Sequence, residues 1–114
     1  MARFTIRFFS GDLDLFGDYL TETLTLSWSD EERNGYESIL NAVKNSEPLL
    51  TDDVVRFDLD SRTAHRIIQN IIADVQELFP YSDEPEGNYY YSRKVSALLH
   101  VVSMMMNPFM NEEV

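Results

Sequence analysis

The chain has 114 residues, of which 20 are acidic and 9 are basic, and it contains no cysteine. A formal net charge of −11 disfavours binding to nucleic acid or to anionic membranes and favours basic protein surfaces. Without cysteine, a disulfide framework and a thiolate metal site are excluded. Hydrophobic residues make up 44% of the chain, enough for one packed core, so we expect a single acidic domain spanning residues 1–114.

The first predicted element is a β-strand at residues 3–9. Apolar and polar side chains alternate there, and one parity places three apolar residues on the same face, namely Phe4, Ile6 and Phe8.

The next stretch is ambiguous. Residues 10–18 are predicted to form a loop or short turn. Leucine and threonine alternate over 19–27, which favours a second strand paired with the first. Residues 12–24 stay open between strand and helix, because helical spacing is also present through Leu13, Phe16 and Leu20.

A helix is predicted at residues 30–44. Ser29 and Glu32 have the spacing of a capping box, and apolar residues then follow at helical intervals. Gly35 in the interior weakens this helix.

The second half of the chain contains three further predicted elements. Alternation predicts a strand at 53–59. A strongly amphipathic helix begins after Asp60 or Ser61 and is expected to stop at Pro80. A polar loop at 81–88 then leads to a last helix at 89–106.

This order of elements predicts an α+β fold. The economical arrangement is a small antiparallel sheet of about three strands, packed on one face by three helices, of which the last two form a helical hairpin. An all-helical middle region is the rival interpretation.

The acidic residues of the first half are the main candidates for partner binding. Residues 10–60 carry 13 acids and 3 bases. Their carboxylates could imitate the charge of duplex DNA, or they could only keep the protein soluble. The predicted partner-binding acids are Glu22, Asp30, Glu31, Glu32, Glu37, Asp52 and Asp53.

Two apolar clusters near the C-terminus are further candidates. Tyr89 and Tyr90 precede two basic residues, and exposed tyrosines often anchor protein interfaces. Methionines adapt to varied partners, although they also fill cores. A dimer or partner contact is therefore predicted at Met104, Met105, Met106 and Phe109.

No pattern in the sequence predicts catalysis, and neither a metal site nor a cofactor is expected. The pairs Asp12/Asp14 and Asp58/Asp60 resemble carboxylate pairs of metal-dependent enzymes, which gives a weak third hypothesis. His100 lies between Ser96 and Ser103 on a predicted helix, where a serine lacks the exposed turn of a nucleophile.

The sequence therefore predicts a cytoplasmic, non-enzymatic protein-binding domain. Its size and charge are similar to those of small acidic inhibitors from phages and plasmids. We expect it to occupy a basic nucleic-acid-binding surface, such as that of a restriction or CRISPR-type effector, without binding nucleic acid or membrane itself. The alternative is a structural or regulatory subunit that forms a homodimer or binds a partner through its C-terminal Met/Tyr-rich helix.

Overall fold

The computed structural model describes residues 1–9, 11–49, 52–82, 89–107 and 111–113. The protein is α+β, as predicted. Its elements are, in chain order, β1 (Ala2–Phe9), α1 (Asp12–Thr23), α2 (Asp30–Lys44), β2 (Glu47–Leu49), β3 (Asp52–Leu59), α3 (Ser61–Ser82), α4 (Tyr89–Met106) and β4 (Asn111–Glu113). The sheet is antiparallel in the order β2-β3-β1-β4, with two eight-residue strands at its centre and a three-residue strand at each edge.

The centre of the sheet is the pairing of β1 with β3. The register runs from Ala2 opposite Leu59 to Phe9 opposite Asp52. Alternate residues of both strands are buried against the helices, which places the core on one face of the sheet. The strands predicted at 3–9 and 53–59 are confirmed. The predicted partner of the first one is wrong, because β1 pairs with β3 and not with residues 19–27.

Residues 12–23 form a helix, which corrects the predicted loop at 10–18 and the predicted strand at 19–27. Helix α1 buries residues at intervals of three and four, among them Phe16, Leu20 and Thr23. Threonines are compatible with this helix because their hydroxyls can donate to backbone carbonyls one turn earlier. The Thr21 hydroxyl donates to the Gly17 carbonyl at 2.9 Å. The alternation of leucine and threonine therefore led to the wrong prediction of a strand at 19–27.

A glycine is the N-cap of α1, and contacts from outside the helix complete its C-terminal end. Gly11 precedes it with a φ of 91°, a left-handed conformation that glycine adopts without strain. At the other end, the Trp28 indole N–H donates to the Thr23 carbonyl at 2.7 Å. The Arg33 guanidinium donates to the carbonyls of Leu24 and Leu26, at 3.3 and 3.1 Å. This arginine therefore ties the end of α1 to α2 instead of neutralising a carboxylate.

Helix α2 confirms the prediction for residues 30–44 and its capping box. The Glu32 backbone N–H donates to Ser29 Oγ at 3.3 Å, and the Ser29 hydroxyl donates to the Glu32 carboxylate at 3.1 Å. The interior Gly35 is buried. At this residue α2 packs directly against Thr63 and Ile67 of α3.

Helix α3 does not stop at Pro80, as was expected, but continues to Ser82. A proline in the final turn removes a single backbone hydrogen bond, and the helix can tolerate that loss. The predicted loop at 81–88 is therefore helical at its first two residues, and the rest of it lies outside the described residues. Helix α4 agrees with the predicted range, and the edge strand β4 was not predicted.

We expect Gly35→Ala to destabilise the protein. A Cβ at residue 35 would lie 2.7 Å from Thr63 Cγ2 and 2.8 Å from Ile67 Cδ1. Thr63 cannot turn away without losing the bonds of its hydroxyl to Glu31 and Asp60. Overpacking should cost about 1–3 kcal/mol and outweigh the gain in helix propensity, as measured by urea denaturation.

Gly17→Ala is the matched control for this substitution. Its new Cβ would meet Val43 Cγ1 at 3.5 Å, an ordinary van der Waals distance. We expect this variant to be neutral or to gain up to about 1 kcal/mol. Equal stabilities of the two variants would show that the α2–α3 contact is not tight at Gly35.

Candidate functional site

The fold separates the charges of the chain. Helices α1 and α2 contain eight acids and two bases, a net charge of −6. Strands β1 and β3 contain three arginines and three aspartates, and α3 contains two bases and two acids, so each of these groups is neutral. Helix α4 contains two bases and no acid. Among the long elements, only α1 and α2 therefore carry a net negative charge.

Most of the basic side chains are used within the molecule. On the open face of the sheet, Arg3 pairs with Asp58 at 2.9 Å and Arg7 pairs with Asp52 at 3.1 Å. Three further ion pairs join the helices, namely Arg66–Glu32 at 3.8 Å, Arg93–Asp12 at 3.3 Å and Lys94–Glu22 at 3.3 Å.

The seven acids predicted to bind a partner fall into two groups, those with contacts inside the molecule and those without. Glu22, Glu32 and Asp52 have ion-pair partners within the molecule. The Glu31 carboxylate accepts a hydrogen bond from the buried Thr63 hydroxyl at 2.9 Å. Four of the seven acids are thus committed to internal contacts. The three others are Asp30 and Glu37, both exposed on α2, and the half-buried Asp53 on β3.

Two more acids on α1 belong with this exposed group. Asp14 and Asp18 lie one helical turn apart and are both exposed. Asp14, Asp18, Asp30 and Glu37 together are called the acidic α1–α2 surface below. Within the described ranges, none of these four carboxylates forms an ion pair.

A cleft between α1 and α2 adjoins this surface. It encloses about 670 Å³, and Asp14, Asp18 and Lys44 supply its charged groups. Its apolar lining comes from both helices, through Leu13, Leu40 and Val43. The carboxylates thus lie beside apolar surface, so the aliphatic stem of a lysine or arginine side chain could be buried there while its charged end reaches a carboxylate.

A second cavity, of about 280 Å³, lies where α1, α3 and α4 meet. The Tyr19 hydroxyl donates to Asp74 Oδ2 at 2.5 Å within it. Lys94 is only 8% exposed, and its Nζ lies 5.9 Å from the Tyr19 ring centre. Tyr19 bonds to Asp74 and Lys94 pairs with Glu22, so these polar groups join the three helices around the cavity.

Burial also changes the ionisation of two tyrosines. Burial raises the pKa of Tyr19 far above its usual range, and the hydrogen bond to the Asp74 carboxylate raises it further. Burial raises the pKa of Tyr36 to about 12, although the hydrogen bond donated by the Asn70 amide opposes this shift. Both hydroxyls are therefore neutral structural groups.

The predicted tyrosine cluster is partly exposed. Tyr90 is 46% exposed, and its ring centre lies 5.8 Å from Lys94 Nζ and 5.5 Å from the Tyr91 ring. The backbone of Tyr89 begins α4, and its side chain lies outside the description. The structure thus places Tyr90 at the surface, beside Lys94 at the edge of the cavity.

The three predicted methionines near the C-terminus lie in different environments. Met105 is buried in the core, Met104 is half-buried and packs against it, and Met106 is 63% exposed. Phe109 lies outside the described residues. A contact through this segment therefore has Met106 as its accessible methionine.

The paired aspartates do not converge. Asp12 and Asp14 are two residues apart on a helix, so they point to different sides, and Asp12 binds Arg93. Asp60 caps α3, where the Thr63 backbone N–H lowers the pKa of its carboxyl. In the part of the chain that the structure describes, no three His, Asp or Glu side chains are grouped as a metal site.

The remaining candidate for chemistry is His100. Its ring nitrogen Nε2 lies 2.6 Å from the Arg7 carbonyl, and its ring packs edge-on against Phe8. The histidine thus joins α4 to β1. No helix within the described ranges is long and apolar enough to cross a membrane.

No known protein family, curated protein or solved structure matches this chain. The site is therefore argued from its own geometry. The sequence analysis did not include Asp14 and Asp18 among the candidates for partner binding, because it placed them in a loop. Their spacing of four residues, in phase with Leu13, Phe16 and Leu20, was the available signal.

We expect alkaline pH to destabilise the fold through the buried tyrosines. An unfolded tyrosine ionises near pH 10, whereas Tyr36 in the folded protein does so near 12. The stabilisation is complete below about pH 10 and is lost as the pH rises towards 12. Urea denaturation at pH 8 to 12 should give a steeper decline for the wild type than for Tyr36→Phe. Parallel declines would contradict a protected Tyr36 hydroxyl.

Proposed function

We propose that the protein is a non-enzymatic binding domain that engages a basic protein through the acidic α1–α2 surface. The observation that carries this proposal is the group of four exposed carboxylates without an ion pair on two adjacent helices, whereas α3 carries one such carboxylate, Glu77, within the described residues. A surface that served only solubility would not require this separation, since charges spread over the whole molecule would serve equally well.

The local balance of charge supports a cationic partner. The two bases on these helices are Arg33, which is bonded to backbone carbonyls, and Lys44, which is exposed at the cleft. One exposed cation faces four exposed anions, so the field above this surface is negative. A basic partner would be attracted from roughly one Debye length, about 8 Å at physiological salt.

The proposed partner class is a nucleic-acid-binding protein. Asp14 and Asp18 are four residues apart, which corresponds to about 6 Å along the helix axis. A DNA strand carries one phosphate per roughly 3.4 Å of axis. One row of carboxylates therefore has about half the charge density of one strand, and imitation of DNA also requires Asp30 and Glu37 from α2. A restriction or CRISPR-type effector, blocked by a phage or plasmid protein, would fit this scheme.

A matched pair of triple variants tests the proposal. Asp14→Asn/Asp18→Asn/Glu37→Gln neutralises three members of the acidic α1–α2 surface. Asp52→Asn/Asp53→Asn/Asp58→Asn neutralises three acids on β3, so both variants change the net charge by +3. The β3 variant loses only surface ion pairs with Arg3 and Arg7, which contribute little to stability.

The partner is first captured from lysate at low salt, identified by mass spectrometry and purified. In titrations with this protein, we expect the helix variant to bind at least about tenfold more weakly and the β3 variant to stay within about threefold. Added duplex DNA should compete with the wild type. Equal weakening in both variants, or affinity independent of salt, would overturn the proposal.

A further inference from the structure

The outer face of α4 carries no charged residue. Five exposed positions recur along it at alternating intervals of four and three residues, namely Ser92, Ser96, Leu99, Ser103 and Met106. Leu99 is 46% exposed and Met106 is 63% exposed. An interval that averages 3.5 residues is the repeat of a seam between two packed helices.

Between the exposed charged residues Arg62 and Glu77, the exposed positions of α3 are uncharged as well. Asn70 and Asp74 turn towards α2 and α1, where they bond to Tyr36 and Tyr19. The opposite flank of α3 therefore lies on the side of α4, with which α3 packs extensively. The exposed residues on it between Arg62 and Glu77 are His65, Gln69, Ala73 and Gln76. The two flanks join into one surface, called the neutral α3–α4 face below.

We propose that a second copy of this chain docks on the neutral α3–α4 face, with the two α4 helices antiparallel across a twofold axis near Leu99. The charge distribution favours a second copy of the chain as the partner on this face. Two chains of net charge −11 repel each other when their acidic surfaces meet, whereas this face brings no like charges together. A basic partner, by contrast, would gain no electrostatic attraction from it.

The sizes of the side chains along α4 match this arrangement. Met106 and Ser92 each lie seven residues from Leu99, on opposite sides of it. In an antiparallel pair centred on Leu99, Met106 of each copy comes opposite Ser92 of the other. A large side chain then meets a small one at both ends of the seam, and the contact is self-complementary, as a twofold interface requires.

The expected dimer is weak. Helix α4 has 18 residues, so it is about 27 Å long, and two adjacent helices are roughly 20 Å wide. The face is then on the order of 500 Å² per copy, below the roughly 800 Å² of a standard interface. We therefore expect a micromolar or weaker dissociation constant, independent of the acidic α1–α2 surface.

Sedimentation velocity from about 1 to 500 µM tests the association. The wild type should shift towards twice its 13.3 kDa mass as its concentration rises. Leu99→Glu places two carboxylates together at the twofold axis, and Met106→Glu puts a charge in place of the large apolar side chain at each end of the seam, so both variants should remain monomeric. Leu26→Glu alters a leucine that is 58% exposed on another surface and should dimerise like the wild type. A wild type that is monomeric at every concentration would overturn the proposal.

Disulfide trapping tests the orientation, because the chain has no cysteine of its own. Leu99→Cys should form a disulfide-linked dimer under mild oxidation. A mixture of Ser92→Cys and Met106→Cys should cross-link faster than either variant alone, and Leu26→Cys should cross-link least. Efficient trapping through Leu26→Cys, or a Ser92→Cys variant that links to itself fastest, would contradict the antiparallel seam.

Discussion

The structure depends on the antiparallel pairing of β1 with β3, two strands separated by more than forty residues of chain. In each strand, alternate residues are apolar and belong to the core. The two strands must pair for these residues to form one continuous buried face. The stacked pair of Phe4 and Phe57, directly opposite in the register with ring centres 5.4 Å apart, joins the two strands within that face. Because α1 and α2 lie between these strands in sequence, the pairing holds both helices against the core.

This layout also decides which charges remain available. Arginines on β1 meet aspartates on β3, so the open face of the sheet neutralises itself. Arg33 completes the end of α1, while Arg93 and Lys94 join α4 to α1. The chain has few bases, and the fold places most of them in contacts between elements. Of the net charge of −11, −6 therefore lies on α1 and α2, where four carboxylates are exposed.

The two proposed surfaces follow from the same separation of charge. The acidic α1–α2 surface suits a cationic partner, and the neutral α3–α4 face suits a second copy of the chain. They are carried by different helix pairs, so occupation of one would leave the other accessible. A weak dimer would then present two acidic surfaces at once and could strengthen binding to a partner with two basic sites, without any new contact.

The sequence by itself determined the α+β class, the two central strands, three of the four helices and the capping box, because these follow from periodicity and local hydrogen bonding. It also determined the net charge. Only the tertiary structure decided that residues 12–23 are helical, since alternating leucine and threonine fit a strand until Trp28 and Arg33 complete the helix end. It likewise decided which carboxylates are free, because Asp52 and Glu22 find their partners across 45 and 72 residues of chain. Such pairings depend on strand register and helix packing, and no local pattern records them.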